Sequence, residues 1–265
     1  MDLNLGGKNV VITGGASNIG RAITLAFAEQ GANIVIADID EAQSNKVLDE
    51  ALAAGAKDAM FVQTDVTSYE SVEQMVAKVV SRFGVIDVLV NNVGWTFDRL
   101  FIEKPREEWE KEINLNLWGV INCTRAVLDG MLDNKSGVVV SIGSDAGRIG
   151  EFREAVYGAC KAGVMALSKS LAREYGKFGL RFNVVCPGTT MPDSDDEISV
   201  GSMWNDGHVK HWNTPEMREK IGKAYPLRRV GTPQDVAPAV VFLASDAAKF
   251  ITGQTLSASG GYSMM

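Results

Sequence analysis

Six short runs of aliphatic and β-branched residues recur along the chain with longer amphipathic stretches between them. That alternation limits the folds open to the chain more than any other feature. The runs are Val10 to Thr13, Ile34 to Ile36, Met60 to Val62, Val85 to Val90, Val138 to Ile142 and Arg181 to Val185. A strand that is apolar on consecutive residues must be covered on both faces, whereas a half-solvated strand alternates. With helical patterns between the runs, the expected fold is α/β, a doubly wound parallel sheet with helices on both faces. Helices are expected from Ile19 to Gln30, closed by Gly31, and from Ser68 to Phe83, with Ser68 as the cap. No linker-like segment divides the 265 residues, so one domain over 1–265 is expected. From Thr189 to about residue 216 the pattern lapses into Asp, Ser, Gly and Asn around Trp204 and Trp212. A stretch this long without periodicity reads as a substrate lid.

The net charge of −7 and a pI near 5.0 argue against nucleic acid or an anionic membrane as a partner, because both attract basic surfaces. The N-terminus lacks the pattern of an export leader and no apolar stretch is long enough to span a bilayer, so a cytoplasmic protein is expected. Cys123, Cys160 and Cys186 form neither an even set nor a metal-ligand spacing and read as small hydrophobes. His208 and His211 have no third ligand candidate near them and read as a surface pair, so no metal site is expected.

Directly after the first run comes a glycine-rich turn, Thr13, Gly14, Gly15, Ala16, Ser17, Asn18, Ile19 and Gly20, which leads into the first helix. Glycines allow close approach to a pyrophosphate, and free amides at the helix start offer donors. A plain βα turn would use glycine too, but Asp38 lies eighteen residues past Gly20 at the end of the second run. A carboxylate there can accept from an adenosine ribose, and the sheet becomes Rossmann-type. Alone, Asp38 could instead cap the helix that starts near Glu41. Beside a carboxylate a 2′-phosphate is repelled and Ile39 supplies no cation, so NAD is expected over NADP. Arg21 is the one nearby residue that could turn toward a phosphate.

Tyr157 and Lys161 stand four residues apart, one helical turn, and Ser144 lies thirteen residues before the tyrosine at the end of a run. A cation beside a phenol favours tyrosinate. To act as a base near neutrality the phenol must lose about 3 kcal/mol of preference for its neutral form. A cation about 4 Å away supplies about 4 kcal/mol at an effective dielectric of about 20. The expected chemistry is proton transfer by Tyr157, with Ser144 donating to the reacting oxygen. The bland readings are a helix-surface pair for Tyr157 and Lys161 and a turn cap for Ser144.

In this order the glycine turn, Asp38, Ser144, Tyr157 and Lys161 resemble the short-chain dehydrogenase/reductase family across essentially the whole chain. Asp65 and Val66, the Asn91 to Gly94 turn, Asn116, Pro187 and Gly188, and Ile251 to Gln254 match as well. The resemblance implies a seven-stranded sheet, a homotetramer, and the following roles. Ser144 holds the substrate oxygen, Tyr157 is the general acid/base, Lys161 binds the nicotinamide ribose and lowers the tyrosine pKa, and Asn116 holds a relay water. Gly14, Ser17, Asn18, Ile19 and Gly20 take the pyrophosphate, and Asp65 and Val66 meet the adenine. Asn92 and Gly94 lie on the ribose side, with Pro187, Gly188 and Thr190 on the nicotinamide side. Asn18 departs from the family's glycine, although asparagine tolerates positive φ. Pro192 stands where many members carry threonine, and Val93 where alanine is usual. Within the family, the stretches from Ser144 to Arg148 and from Glu154 to Lys161 are similar to the branch of 2-hydroxycyclohexanecarboxyl-CoA dehydrogenase.

On the substrate side, Trp95, Arg148, Arg153 and Trp204 are candidate contacts, with Trp95 and Phe97 able either to wall an apolar pocket or to pack as ordinary loop aromatics. The acidic run Asp193 to Glu197 reads as a solvated loop. The expected activity is NAD-dependent interconversion of a secondary alcohol, cyclic, aromatic or a hydroxyacyl-CoA, with its ketone. The alternatives are a 3-oxoacyl thioester reductase and a dinucleotide sensor without turnover.

Overall fold

The computed structural model describes residues 2–205 and 213–265. His208, His211 and Trp212, and with them part of the expected lid, lie outside the described residues. Seven strands form the sheet: β1 (Asn9–Thr13), β2 (Asn33–Asp38), β3 (Asp58–Gln63), β4 (Val88–Asn91), β5 (Gly137–Ile142), β6 (Leu180–Pro187) and β7 (Thr255–Ala258). All pairs are parallel, in the order β3-β2-β1-β4-β5-β6-β7. The helices are α1 (Asn18–Ala28), α2 (Glu41–Ala54), α3 (Tyr69–Phe83), α4 (Arg106–Ile113), α5 (Gly119–Asn134), α6 (Ala146–Ile149), α7 (Ala155–Tyr175), α8 (Pro215–Gly222) and α9 (Pro233–Ala244).

Strand side chains alternate between two cores, which is why the runs look continuously apolar. Val10, Ile12, Ile34, Ile36, Val90 and Val140 join Ile23 and Phe27 of α1 and Val236 and Val240 of α9 on one face. Val11, Val35, Leu89 and Val139 join Val72 and Met75 of α3 and Val127 and Met131 of α5 on the other. Cys123, Cys160 and Cys186 are buried free thiols.

Several strands run a residue or two beyond the apolar runs, and two elements are shorter than the sequence expectation. The fourth run enters its strand only at Val88; just before it the Asp87 carboxylate accepts from the Asn9 amide at 2.9 Å and from Lys8 at 3.1 Å. α1 ends at Ala28, and the chain then turns through Gly31 at φ 72°. Among the described residues no helix is long and apolar enough to cross a membrane.

Candidate active site

The order of strands reverses between β1 and β4, and the carboxyl ends of the strands there open onto a cleft of about 1410 Å³. Its walls run from Asp38 and Ile39, past Gly14, Ser17, Asn18 and Ile19, to Ser144, Tyr157 and Lys161.

The glycine turn is held from below. Asn92 Nδ2 donates to the carbonyls of Thr13 and Gly14, each at 3.0 Å, and Thr24 Oγ1 donates to that of Gly15 at 2.9 Å. Asn18 takes φ 47°, as its tolerance of that region anticipated, and its buried Oδ1 has no hydrogen-bond partner. Gly20 does not line the cleft. It lets α1 pass against the Gly14 carbonyl, where an added Cβ would sit 1.9 Å from that oxygen.

At the far end of β2, Asp38 does not cap α2; Asp40 does, accepting from Gln43 N at 3.1 Å. Asp38 instead accepts from the amides of Ile39 (2.8 Å), Asp40 (3.1 Å) and Ala16 (3.3 Å), and burial raises its pKa. Asp65 turns its carboxylate onto the amide and hydroxyl of Thr67 while lining the cleft beside Val66. Arg21 is taken up by Glu50 at 2.8 Å and Glu197 at 3.1 Å.

At the catalytic end, α7 brings Tyr157 and Lys161 to one face, as their spacing required, and β5 delivers Ser144 beside the phenol. Lys161 Nζ donates to the Ile142 carbonyl at 3.0 Å and lies 5.5 Å from the Tyr157 ring centroid. The expectation that Lys161 makes the phenol acidic is not met within the protein. Burial and the Glu154 carboxylate push the Tyr157 pKa up, against the lowering effect of Ser144, while burial lowers Lys161 to about 8. The ammonium lies against the ring, and desolvation of the phenol outweighs it.

Asn116 lies behind the cleft wall. It is fully buried in a π-helical turn, Asn114–Trp118, and does not line the cleft. Its Nδ2 donates to the carbonyls of Trp95 (2.7 Å) and Glu112 (2.9 Å), and its Oδ1 accepts from Trp95 N at 3.2 Å. With both amide hydrogens donated in these bonds, the side chain pins the Trp95 loop.

Of the expected substrate contacts, Trp95, Arg153 and Trp204 line the cleft and Arg148 does not. Arg148 donates to Ser257 Oγ at 2.6 Å, and that hydroxyl donates to Asp145 Oδ1 at 2.6 Å, tying α6 to β7. Asn92, Gly94, Pro187, Gly188 and Thr190 line the cleft as expected. Several features escaped the sequence reading. Glu154 faces the cleft beside Asp98, and burial with Asp98 and Glu151 raises its pKa to about 8. Lys104 and Glu112 form a buried ion pair behind Thr96 and Phe97, and Lys111 lies 3.8 Å over the Trp95 ring. A charged residue four positions before Asn116 on one helix was the available signal for Glu112.

A doubly wound parallel sheet with a Gly-rich turn, a carboxylate at the end of β2 and a Ser, Tyr and Lys set around one switch-point cleft defines a dinucleotide-dependent oxidoreductase architecture. Residues 14–263 match the family described as Enoyl-(Acyl carrier protein) reductase. The chain is 37% identical over 257 residues, 97% of its length and 98% of the relative's, to the 3-oxoacyl-[acyl-carrier-protein] reductase FabG of Staphylococcus aureus strain Mu50. It is 36% identical over 260 residues to the Thermotoga maritima protein of that name, covering 98% and 99% of the two chains. The crystal structure of gox2181 superposes with a TM-score of 0.87 at 35% identity, over 98% of this chain and 97% of that one. The chain belongs to the short-chain dehydrogenase/reductase family, whose enzymes use a nicotinamide dinucleotide.

Proposed function

We propose that the chain interconverts a ketone and its secondary alcohol by hydride transfer with NAD(H), and that a 3-oxoacyl group stands ahead of an alicyclic alcohol as its substrate. The observation that carries this reading is one continuous cleft with Asp38 at one end and the Ser144 and Tyr157 hydroxyls with Lys161 at the other.

The residues fit the dinucleotide. A cleft of about 1410 Å³ exceeds the usual small-molecule pocket of roughly 300–1,000 Å³ and has room for cofactor and substrate together. The amides that begin α1 would meet the pyrophosphate, and a Cβ on Gly94 would come within 3.0 Å of Asn116 Oδ1 and 3.2 Å of Lys161 Nζ, so glycine keeps that passage open. Lys161 and Asn92 would hold the ribose on the nicotinamide side, with Pro187, Gly188 and Thr190 along the ring. Bound in the reduced form, the nicotinamide supplies a hydride to the carbonyl carbon. Tyr157 passes its hydroxyl proton to the carbonyl oxygen while Ser144 donates a hydrogen bond to that same oxygen. A phenol whose pKa is raised stays protonated at neutral pH, as a proton donor must.

The names of the curated relatives support the 3-oxoacyl group. Trp95 and Trp204 in the cleft wall support the cyclic substrate as the second reading. Following nicotinamide absorbance with NADH over 3-oxoacyl thioesters, cyclic ketones and aryl ketones tests both. Fastest turnover is expected on the 3-oxoacyl compounds; faster turnover on cyclic ketones moves the assignment to the second reading, and inertness toward every ketone overturns it.

The cofactor preference rests on Asp38. A 2′-phosphate carries roughly −1.5 to −2 charges and would lie beside that buried carboxylate. Asp38→Ala is expected to cut the ratio of kcat/KM for NADH over NADPH by about tenfold, or ~1.4 kcal/mol. An unchanged ratio removes Asp38 as the selector. The homotetramer belongs to the same reading, with the exposed Ile113 and Trp118 beside Asn116 as apolar surface for it to cover; a monomer in solution removes that part.

A further inference from the structure

Residues 196–202 were expected to serve the substrate, yet their bonds run to the opposite half of the cleft. Ser194 Oγ caps a single 3-10 turn, Asp195–Glu197, by accepting from Asp196 N at 3.1 Å. The Asp196 carbonyl then accepts from Gln43 Nε2 and Lys46 Nζ of α2, both at 3.1 Å. Glu197 accepts from Arg21 of α1 at 3.1 Å, with both side chains less than one-fifth exposed. Ser199 N donates to Ser17 Oγ at 3.0 Å, and Val200 N donates to Asp40 Oδ2 at 3.2 Å. A Cβ on Gly201 would lie 3.7 Å from Ile39 Cδ1. Every one of these partners belongs to the glycine turn, α1, the end of β2 or α2. Ser199, Gly201 and Ser202 thereby line the cleft next to Asp38 and Ile39.

The segment thus crosses the adenosine end of the dinucleotide site. It sets the Glu197 carboxylate on Arg21, one turn into α1 from the glycine turn, and its Asp196 carbonyl on Lys46, so that both cations near that end are engaged by the segment. Arg21 is already shared with Glu50, so with Glu197 it faces two carboxylates and its charge is compensated. A partly buried pair of this kind is screened less than a surface one.

We infer that Glu197 is a cofactor-specificity residue, which docks residues 196–202 over the adenosine ribose and holds Arg21 away from it, so that a 2′-hydroxyl is accepted and a 2′-phosphate refused. The inference rests on the NAD(H) reading above and adds a second selector, remote from Asp38 in sequence and carried on a different element.

The test is titration of the full chain with NADH and with NADPH, read by nicotinamide fluorescence, for wild type, Glu197→Gln, Arg21→Met and the double variant. Glu197→Gln keeps the size of the side chain and removes its charge. It is expected to lower the ratio of Kd for NADPH over NADH by about fivefold, mainly through tighter NADPH binding, and to have no further effect once Arg21 is methionine. A wild type without preference for NADH overturns the cofactor reading and this inference together. A wild-type preference that Glu197→Gln leaves within twofold overturns this inference alone. An equal loss of affinity for both cofactors also overturns it, because that would mark Glu197 as merely structural.

Discussion

Tyr157→Phe is expected to lower kcat by about a thousandfold or more while leaving the Kd for NADH within about threefold. The phenol oxygen carries a transferable proton and stands hydrogen-bonded beside Ser144 in the cleft. General acid catalysis of this kind contributes roughly 10²–10⁴ in rate, and loss of the donor also leaves the developing oxyanion with Ser144 alone. The ring itself is retained, so its contact with Lys161 at 5.5 Å and the packing of α7 persist. Stopped-flow reduction of a ketone and equilibrium titration of NADH check the two halves separately. A variant that keeps more than about a tenth of the wild-type rate removes Tyr157 from the proton-transfer role.

Among the described glycines, Gly20 is where an added methyl group, Gly20→Ala, is expected to do the most damage. The new Cβ would stand 1.9 Å from the Gly14 carbonyl oxygen and 2.6 Å from Asn92 Nδ2. No rotation of a side chain relieves the first contact, since its partner is backbone. The turn must open, which loosens the bonds from Asn92 to the Thr13 and Gly14 carbonyls and displaces the amides that begin α1. Overpacking costs about 1–3 kcal/mol, and each lost hydrogen bond about 1 kcal/mol. Denaturant unfolding should show a loss of at least about 2 kcal/mol, and NADH affinity should fall by tenfold or more in whatever fraction remains folded. Wild-type stability together with wild-type NADH affinity would mean that the turn does not carry the pyrophosphate.

Both variants probe features legible in the sequence, and the reason is local. Glycine spacing after an apolar run, a carboxylate closing the next run, and a tyrosine and lysine one helical turn apart are short-range patterns whose geometry follows from strand and helix periodicity. The seventh strand was reached only through the family resemblance. Thr255–Ala258 sits at the sheet edge, is mostly half-exposed, and so lacks the double-sided apolar pattern of the other runs. What the sequence could not show is long-range. Residues 196–202 find their partners at Ser17, Arg21, Asp40, Gln43 and Lys46, about 150 or more positions away. The acidic run that reads as a solvated loop is, at Glu197, half of a shielded ion pair. The raised pKa of Tyr157 was hidden for the same reason. Spacing places Lys161 near the ring, but the burial of the phenol and the approach of Glu154 and Ser144 depend on how three elements meet. Asn116 is recognisable by its place in the chain, but its bonds to the Trp95 loop twenty-one residues away are not.

The most direct test of the account follows the hydrogen atom itself. NADH carrying deuterium on the transferring face of nicotinamide C4 is incubated with the protein and a 3-oxoacyl thioester, and the product is weighed by mass spectrometry. A secondary alcohol bearing one deuterium on its carbinol carbon is expected, formed by the wild type and nearly absent with Tyr157→Phe. An alcohol without the label, a label placed on a carbon other than the former carbonyl carbon, or equal product from both proteins would contradict it.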